Sequence, residues 1–147
     1  MARIAVHLHQ LSLGGAERIT VMWCQWLVDM GHQVQLFIGQ PDEREFFSPP
    51  ASVQILRRPA GLPSSLWLRR LLRENPPDLC IGVTTRPSIN LLLASVGCPW
   101  PVVVAERNYP PSRPQPLMWA LLRRLLYPTA ALHLVQTQRI GRWLHQS

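Results

Sequence analysis

The sequence predicts an α/β fold: a doubly wound parallel sheet of about six strands with helices on both faces. Three features point to it. Six short apolar runs recur along the chain, most are separated by segments of helical period, and proline doublets at 49–50, 76–77 and 110–111 fall at the expected boundaries. A residue preceding proline is pushed out of helical conformation, so each doublet separates one element from the next.

The runs, in order, are RIAVHL (3–8), QVQLFIG (33–39), VQILR (53–57), LCIGV (79–83), PVVVAE (101–106) and LHLVQT (132–137). Four are rich in Val and Ile without clean alternation, as expected of strands buried on both faces of a parallel sheet. In the first helical segment, 16–30, Ile19, Trp23, Trp26, Leu27 and Met30 fall on one predicted face, and Gly31 is the stop. Residues 64–75, 87–96, 116–126 and 138–145 are the remaining predicted helices. The stretch GQPDEREFFSPPAS (39–52) is too proline-interrupted for a long helix and reads as a loop.

A length of 147 residues, 47% of them hydrophobic and 16% charged, suits a single globular domain. No stretch reaches the roughly 18 apolar residues of a membrane-spanning helix. His7, His9 and Gln10 interrupt the apolar N-terminus, which therefore reads as a first strand rather than a signal peptide. Cys24, Cys80 and Cys98 are widely spaced with no CxxC pair, so they are expected as buried thiols in a reducing, cytoplasmic compartment. The five histidines, at 7, 9, 32, 133 and 145, show no metal-ligand spacing, and no metal site is expected. All fifteen basic residues are arginine and the net charge is +7, which attracts phosphates, acidic lipid surfaces or nucleic acid.

The adjacent pair Gly14–Gly15 lies between the first predicted strand and the first predicted helix. In a doubly wound fold this loop borders the ligand crevice. Glycines there let backbone amides approach a bulky anion at a helix N-terminus. The other reading is a tight strand-to-helix turn, with Glu17 set against the helix dipole. The pair alone supports both. There is no G-x-G-x-x-G, no G-x-x-x-x-G-K-[ST] and no G-x-S-x-G, so dehydrogenase, P-loop and hydrolase readings have little support.

LGGAERITVMWCQWLVDMGHQVQLFI resembles the opening of the N-terminal domain of glycosyltransferase family 4, a retaining group with the GT-B fold. Gly14, Gly15, Ala16, Glu17 and Arg18 match a GGAER-type loop, and Gly31, His32 and Val34 match a G-H-x-V turn. PDLCIGVTTRPSINLLLASVGCPWPVVVAERNYP and LHLVQTQRIGRWL are similar to later blocks of the family, in the same order. The resemblance implies one Rossmann-like half of a GT-B enzyme, spanning 1–147 as the acceptor-side domain. It implies Gly14, Gly15 and Arg86 toward the donor's diphosphate. Thr85, Asn108 and His9 are expected toward substrate, and Glu106 and Arg107 as catalytic groups, although Glu106 stands where many members carry a histidine-bearing turn. A surface ion pair of Glu106 with Arg107 is the plainer reading of those two.

The resemblance further implies transfer from a nucleotide-sugar to a glycan or lipid-linked acceptor in cell-surface polysaccharide synthesis, with no separate cofactor. The paired acidic E-x7-E-like motif of the family's second, donor-binding domain is missing from these 147 residues. The expectation is therefore a truncated or split transferase, with a separate C-terminal half as a partner and little activity alone. SLWLRRLLRE (65–74) and PLMWALLRRLLYP (116–128) are arginine-fringed and amphipathic. The first reads as a helix packed on the sheet; the second suits either packing or peripheral membrane contact. The alternative to a transferase is a non-catalytic basic module that binds an anionic membrane surface or nucleic acid. For a transferase, nucleic acid is not an expected partner.

Overall fold

The computed structural model describes residues 1–40, 45–112 and 114–146. Six strands form one sheet in the order β3-β2-β1-β4-β5-β6, and every adjacent pair is parallel. They are β1 (Arg3–Leu8), β2 (Gln33–Ile38), β3 (Gln54–Arg57), β4 (Leu79–Val83), β5 (Val102–Glu106) and β6 (Leu132–Val135). Between and after them run α1 (Gly15–Asp29), α2 (Ser64–Glu74), α3 (Thr85–Ala94), α4 (Leu117–Leu126) and α5 (Gln138–Gln146). The expected doubly wound sheet is therefore the observed one.

Alternate side chains of each central strand enter opposite layers, as the two-residue period of a strand requires. On one face Ala5, Phe37, Cys80, Val102 and Val104 meet Trp67, Leu68 and Leu72 of α2 and Ile89, Leu91 and Leu92 of α3. On the other, Ile4, Val6, Leu36, Ile38 and Val103 meet Cys24 and Leu27 of α1. Gly82 lets α3 lie against β4, because a Cβ there would stand 2.6 Å from the Ser88 Cα. Gly31, with φ +85°, ends α1 as expected.

Two expectations need correction. The buried row of α1 is Thr20, Cys24 and Leu27, whereas Trp26 and Met30 are exposed. Tertiary packing turned the helix away from its most hydrophobic stripe, and the Thr20 hydroxyl is accommodated by donating to the Ala16 carbonyl at 2.7 Å. Cys24 and Cys80 are buried, their thiols pushed up to about 12 by desolvation, but Cys98 is only half-buried. For α4, where packing and exposure were both open, no residue is buried, although Trp119, Leu122 and Leu126 pack partly on the α2–α3 layer.

In the proline-rich stretch the described part, 45–52, carries neither helix nor strand; residues 41–44 lie outside the described residues. Among the described residues no helix is long and apolar enough to cross a membrane.

Candidate active site at the sheet switch point

The strand order reverses between β1 and β4, so the loops after these two strands lead away in opposite directions and leave a crevice between them. Residues 9–14 follow β1 and Thr84, Thr85 and Arg86 follow β4, at the same end of the sheet. Gly14 is the N-cap of α1, with φ −165° and ψ 164°, an extended conformation open to any residue. Neither Gly14 nor Gly15 has positive φ. A Cβ on Gly14 would collide with the Glu17 carboxylate, whose Oε1 accepts a 3.3 Å hydrogen bond from Ser12. A Cβ on Gly15 would meet nothing within 4 Å. Turn geometry thus leaves Gly15 unexplained, and the amide-bearing start of α1 is bare on its outer side.

His9 follows β1, hydrogen-bonds the Gln40 side chain and lies within electrostatic range of Arg86 and Arg58. Burial, then the Arg86 guanidinium, lower its pKa, so the imidazole is neutral at pH 7. Arg58 is fixed by donating from Nε to the Gly39 carbonyl at 2.6 Å and from Nη1 to the Leu62 carbonyl. Arg86, at the second position of α3, is exposed; it donates to Gln115 Oε1 at 3.3 Å and stacks 5.3 Å from the Trp119 ring centroid. The crevice therefore joins a neutral imidazole, two guanidinium groups and a helix start, a set suited to a diphosphate.

Thr84 adopts φ 69° and ψ 175°, a backbone region that is almost exclusively glycine's. Its amide donates to the Ala105 carbonyl at 2.9 Å, so the sheet ladder holds it there. Strain of this kind costs about 1–3 kcal/mol, against about 1 kcal/mol of extra chain entropy for glycine. Thr84→Gly is accordingly expected to raise stability by about 1 kcal/mol, read as a shift in the urea midpoint. A lower midpoint would contradict this account.

Glu106 ends β5 with no exposed surface. Its Oε2 accepts from the Tyr127 hydroxyl at 2.7 Å and from Thr85 Oγ1 at 3.0 Å, and the Asn108 amide also bonds the carboxylate. Burial raises the Glu106 pKa even against these three donors. It makes no ion pair with Arg107, so the plainer reading of that pair is corrected: the carboxylate turns inward and the arginine outward. Thr85 is likewise buried. Arg107 instead meets Gln136, whose amide, with its nitrogen toward the main chain, donates to the Arg107 carbonyl at 2.9 Å and accepts from Nη2 at 2.5 Å. Arg139 stacks on Tyr109 at 4.2 Å.

The structure thus groups Gly14, Gly15, His9 and Arg86 at the crevice. Arg107 and Asn108 lie farther along the same sheet edge, and Thr85 and Glu106 beneath it. Thr84, Arg58, Gln40, Tyr127 and Gln136 were not singled out in the sequence. Tyr127 is 21 residues from Glu106 and reaches it only through the crossover by way of α4, which leaves no local signal.

The profile of the glycosyl transferase 4-like domain matches residues 14–147. No curated protein matches the sequence. Among solved structures, HepE from Anabaena in complex with UDP-glucose superposes with a TM-score of 0.71 at 16% identity. That comparison covers 99% of this chain and 40% of the other, so this chain spans well under half of that neighbour's length. MurG from Acinetobacter baumannii gives 0.60 at 14% identity, over 92% of this chain and 41% of that one. A UDP-N-acetylglucosamine 2-epimerase gives 0.61 at 13%, over 99% and 43%. Such identities establish a common fold and leave the reaction to the site itself. With the profile match extending over nearly all of its length, this chain belongs to the glycosyl transferase 4-like domain family.

Proposed function

We propose that this chain is the acceptor-side domain of a retaining glycosyltransferase. It would work with a donor-binding domain to move a hexosyl group from a nucleotide-sugar to a glycan or lipid-linked acceptor in cell-surface polysaccharide synthesis, on the cytoplasmic side. The observation that carries the reading is Gly15: the protein gains nothing internally from its missing side chain, and the bared amides sit where a doubly wound sheet binds ligand. Family membership and UDP-glucose in the HepE neighbour support the choice of ligand.

In the transfer, the bond between the sugar's anomeric carbon and the diphosphate oxygen breaks, and the acceptor oxygen forms the new one. Negative charge develops on the departing diphosphate oxygen, which takes up the proton that the acceptor hydroxyl loses. Charge-stabilising groups aimed at the leaving oxygens therefore do most of the work. On this chain those are the α1 amides and Arg86. His9, held neutral, accepts a hydrogen bond from a sugar hydroxyl. Arg107 and Asn108 border the acceptor side. Glu106, without exposed surface, is a positioning residue: it fixes the first residue of α3 and hence Arg86 beside it.

Calorimetric titration with UDP tests this reading. With a donor-binding half supplied, wild-type protein should bind, and Gly15→Val should weaken binding about tenfold or more while leaving the melting temperature close to wild type, since a Cβ at this position has open space around it. Equal affinity in the two proteins, or no heat from wild type even with a donor-binding half supplied, would sink the proposal.

A further inference from the structure

Charge is divided very unevenly along this chain. Residues 1–106 hold nine arginines and all eight carboxylates, whereas residues 107–147 hold six arginines and no carboxylate. The second stretch contains α4, the helix without a buried residue. Leu117, Met118, Leu121 and Leu125 of α4 are 86%, 61%, 55% and 62% exposed. Positions 117, 118, 121, 124 and 125 share one face of a helix, so these four aliphatic side chains form one outward strip with Arg124 at its edge.

Beside the strip an open groove of about 800 Å³ runs between α4 and α5, with Leu117, Leu121, Val135 and Leu144 among its apolar lining. Arg123 is stacked 4.5 Å from the Trp143 ring within that wall, which keeps its charge beside the apolar surface.

The other arginine-fringed helix is built differently. In α2 the apolar residues Trp67, Leu68 and Leu72 are buried. Two of its three arginines are engaged within the protein, Arg69 on the carbonyls of Ala94 and Val96 and Arg70 on Glu74, and Arg73 is exposed. Of α2 and α4, only α4 has its apolar side turned to solvent.

We propose that the outward face of α4, with Arg123 and Arg124 beside it, docks on an anionic lipid bilayer. Complementary charge selects this occupant. A neutral partner covering the leucine strip would leave Arg124 and its neighbours unpaired, and a polyanion would leave the leucines in water. An anionic bilayer takes aliphatic side chains into the acyl boundary while its headgroups meet the guanidinium groups. The helix would lie along the surface, since ten residues are too few to cross it. The inference deepens the lipid-linked acceptor of the proposed reaction, yet it rests on packing and charge alone, and vesicle binding needs no nucleotide.

Sedimentation with vesicles of equimolar phosphatidylglycerol and phosphatidylcholine, against phosphatidylcholine alone, tests it on the full chain. Wild type should bind the anionic vesicles about tenfold or more tightly than the neutral ones, and should be released by salt. Leu121→Ser/Leu125→Ser should lower anionic binding about tenfold, and Arg124→Glu several-fold. Met22→Ser/Trp26→Ser is the control: it removes exposed apolar surface from α1, beside Asp29 rather than arginine, and should bind like wild type. All these residues are exposed, so melting temperatures should stay near wild type.

The proposal is overturned by absent binding, by equal binding to both vesicle types, or by an equal loss in the α1 control. It also fails if light scattering shows a dimer that Leu121→Ser/Leu125→Ser dissolves while vesicles bind neither protein, for then a second copy covers the face. UDP calorimetry without vesicles reads the nucleotide proposal separately.

Discussion

Acidification from pH 7 to pH 4 is expected to cost the fold about 3 kcal/mol through His7. The ring lies in the centre of the sheet, 1% exposed, edge-on to Trp67 at 6.4 Å between centroids. Its Nδ1–H donates to the Phe37 carbonyl at 2.9 Å. Burial, reinforced by His9 and Arg58, lowers the pKa from 6.5 to about 4 against the opposing pull of that carbonyl. Between those two values the unfolded chain binds a proton that the native state refuses. Stability is therefore complete above 6.5 and is lost as pH falls toward 4. At about 1.4 kcal/mol per pH unit the gap amounts to about 3 kcal/mol, a large share of the 5–15 kcal/mol typical of a domain. Urea midpoints measured from pH 7 to 4 should fall in wild type and flatten in His7→Gln, which keeps a donor for the carbonyl without titrating. Parallel curves for the two proteins would refute the assignment.

Glu106→Ala should be comparably damaging. It removes the acceptor shared by the buried Tyr127 hydroxyl, the Thr85 hydroxyl and the Asn108 amide. Each buried donor left unsatisfied costs about 1–3 kcal/mol, and the Ala variant leaves more than one, so a loss of about 3–4 kcal/mol is expected. Glu106→Gln keeps an accepting oxygen and should lose about 1–2 kcal/mol.

The pH dependence separates the carboxylate from its shape. Burial raises the Glu106 pKa, so its contribution is complete below the ordinary glutamate value and is lost as pH rises through the native one. The stability gap between wild type and Glu106→Gln should accordingly narrow from pH 4 to pH 7, opposite in sign to the His7 effect. Thermal melts of the three proteins measure both quantities. If Glu106→Ala melts like wild type, the buried network carries no stability. In UDP titration the Gln variant should retain more affinity than the Ala variant, because the Thr85 bond that sets the start of α3 survives only in the former.

Most of the fold was legible along the chain. Buried parallel strands need β-branched and apolar side chains on both faces, so the runs at 3–8, 33–39, 79–83 and 101–106 declare themselves without reference to anything distant. The helix boundaries followed from glycine and proline placement. What misled was the facing of α1: the most hydrophobic stripe, through Trp26 and Met30, faces solvent, while Thr20 and Cys24 fit the sheet. Small residues pack closely against a strand layer where a tryptophan does not, and a periodic pattern records hydrophobicity rather than fit.

The candidate site was half legible. Gly14, Gly15 and Arg86 could be placed because they follow strand-like runs directly, and strand ends are where this class of sheet binds ligand. Glu106 could be placed by position but not by exposure, since its burial depends on Tyr127 folding back from beyond α4. The Thr84 strain carries no sequence signal at all, because threonine is common in positions of ordinary backbone conformation.

By itself, then, the sequence determined the parallel α/β architecture, the order of its elements and the placing of the glycine pair between the first strand and the first helix, all consequences of local pattern and chain connectivity. Only the tertiary structure decided which glycine lacks an internal reason for being there, which carboxylate is buried, and which of two similar basic helices leaves its leucines in water. Those outcomes depend on what residues far apart in the chain bring within a few ångströms of one another, and no local pattern encodes that.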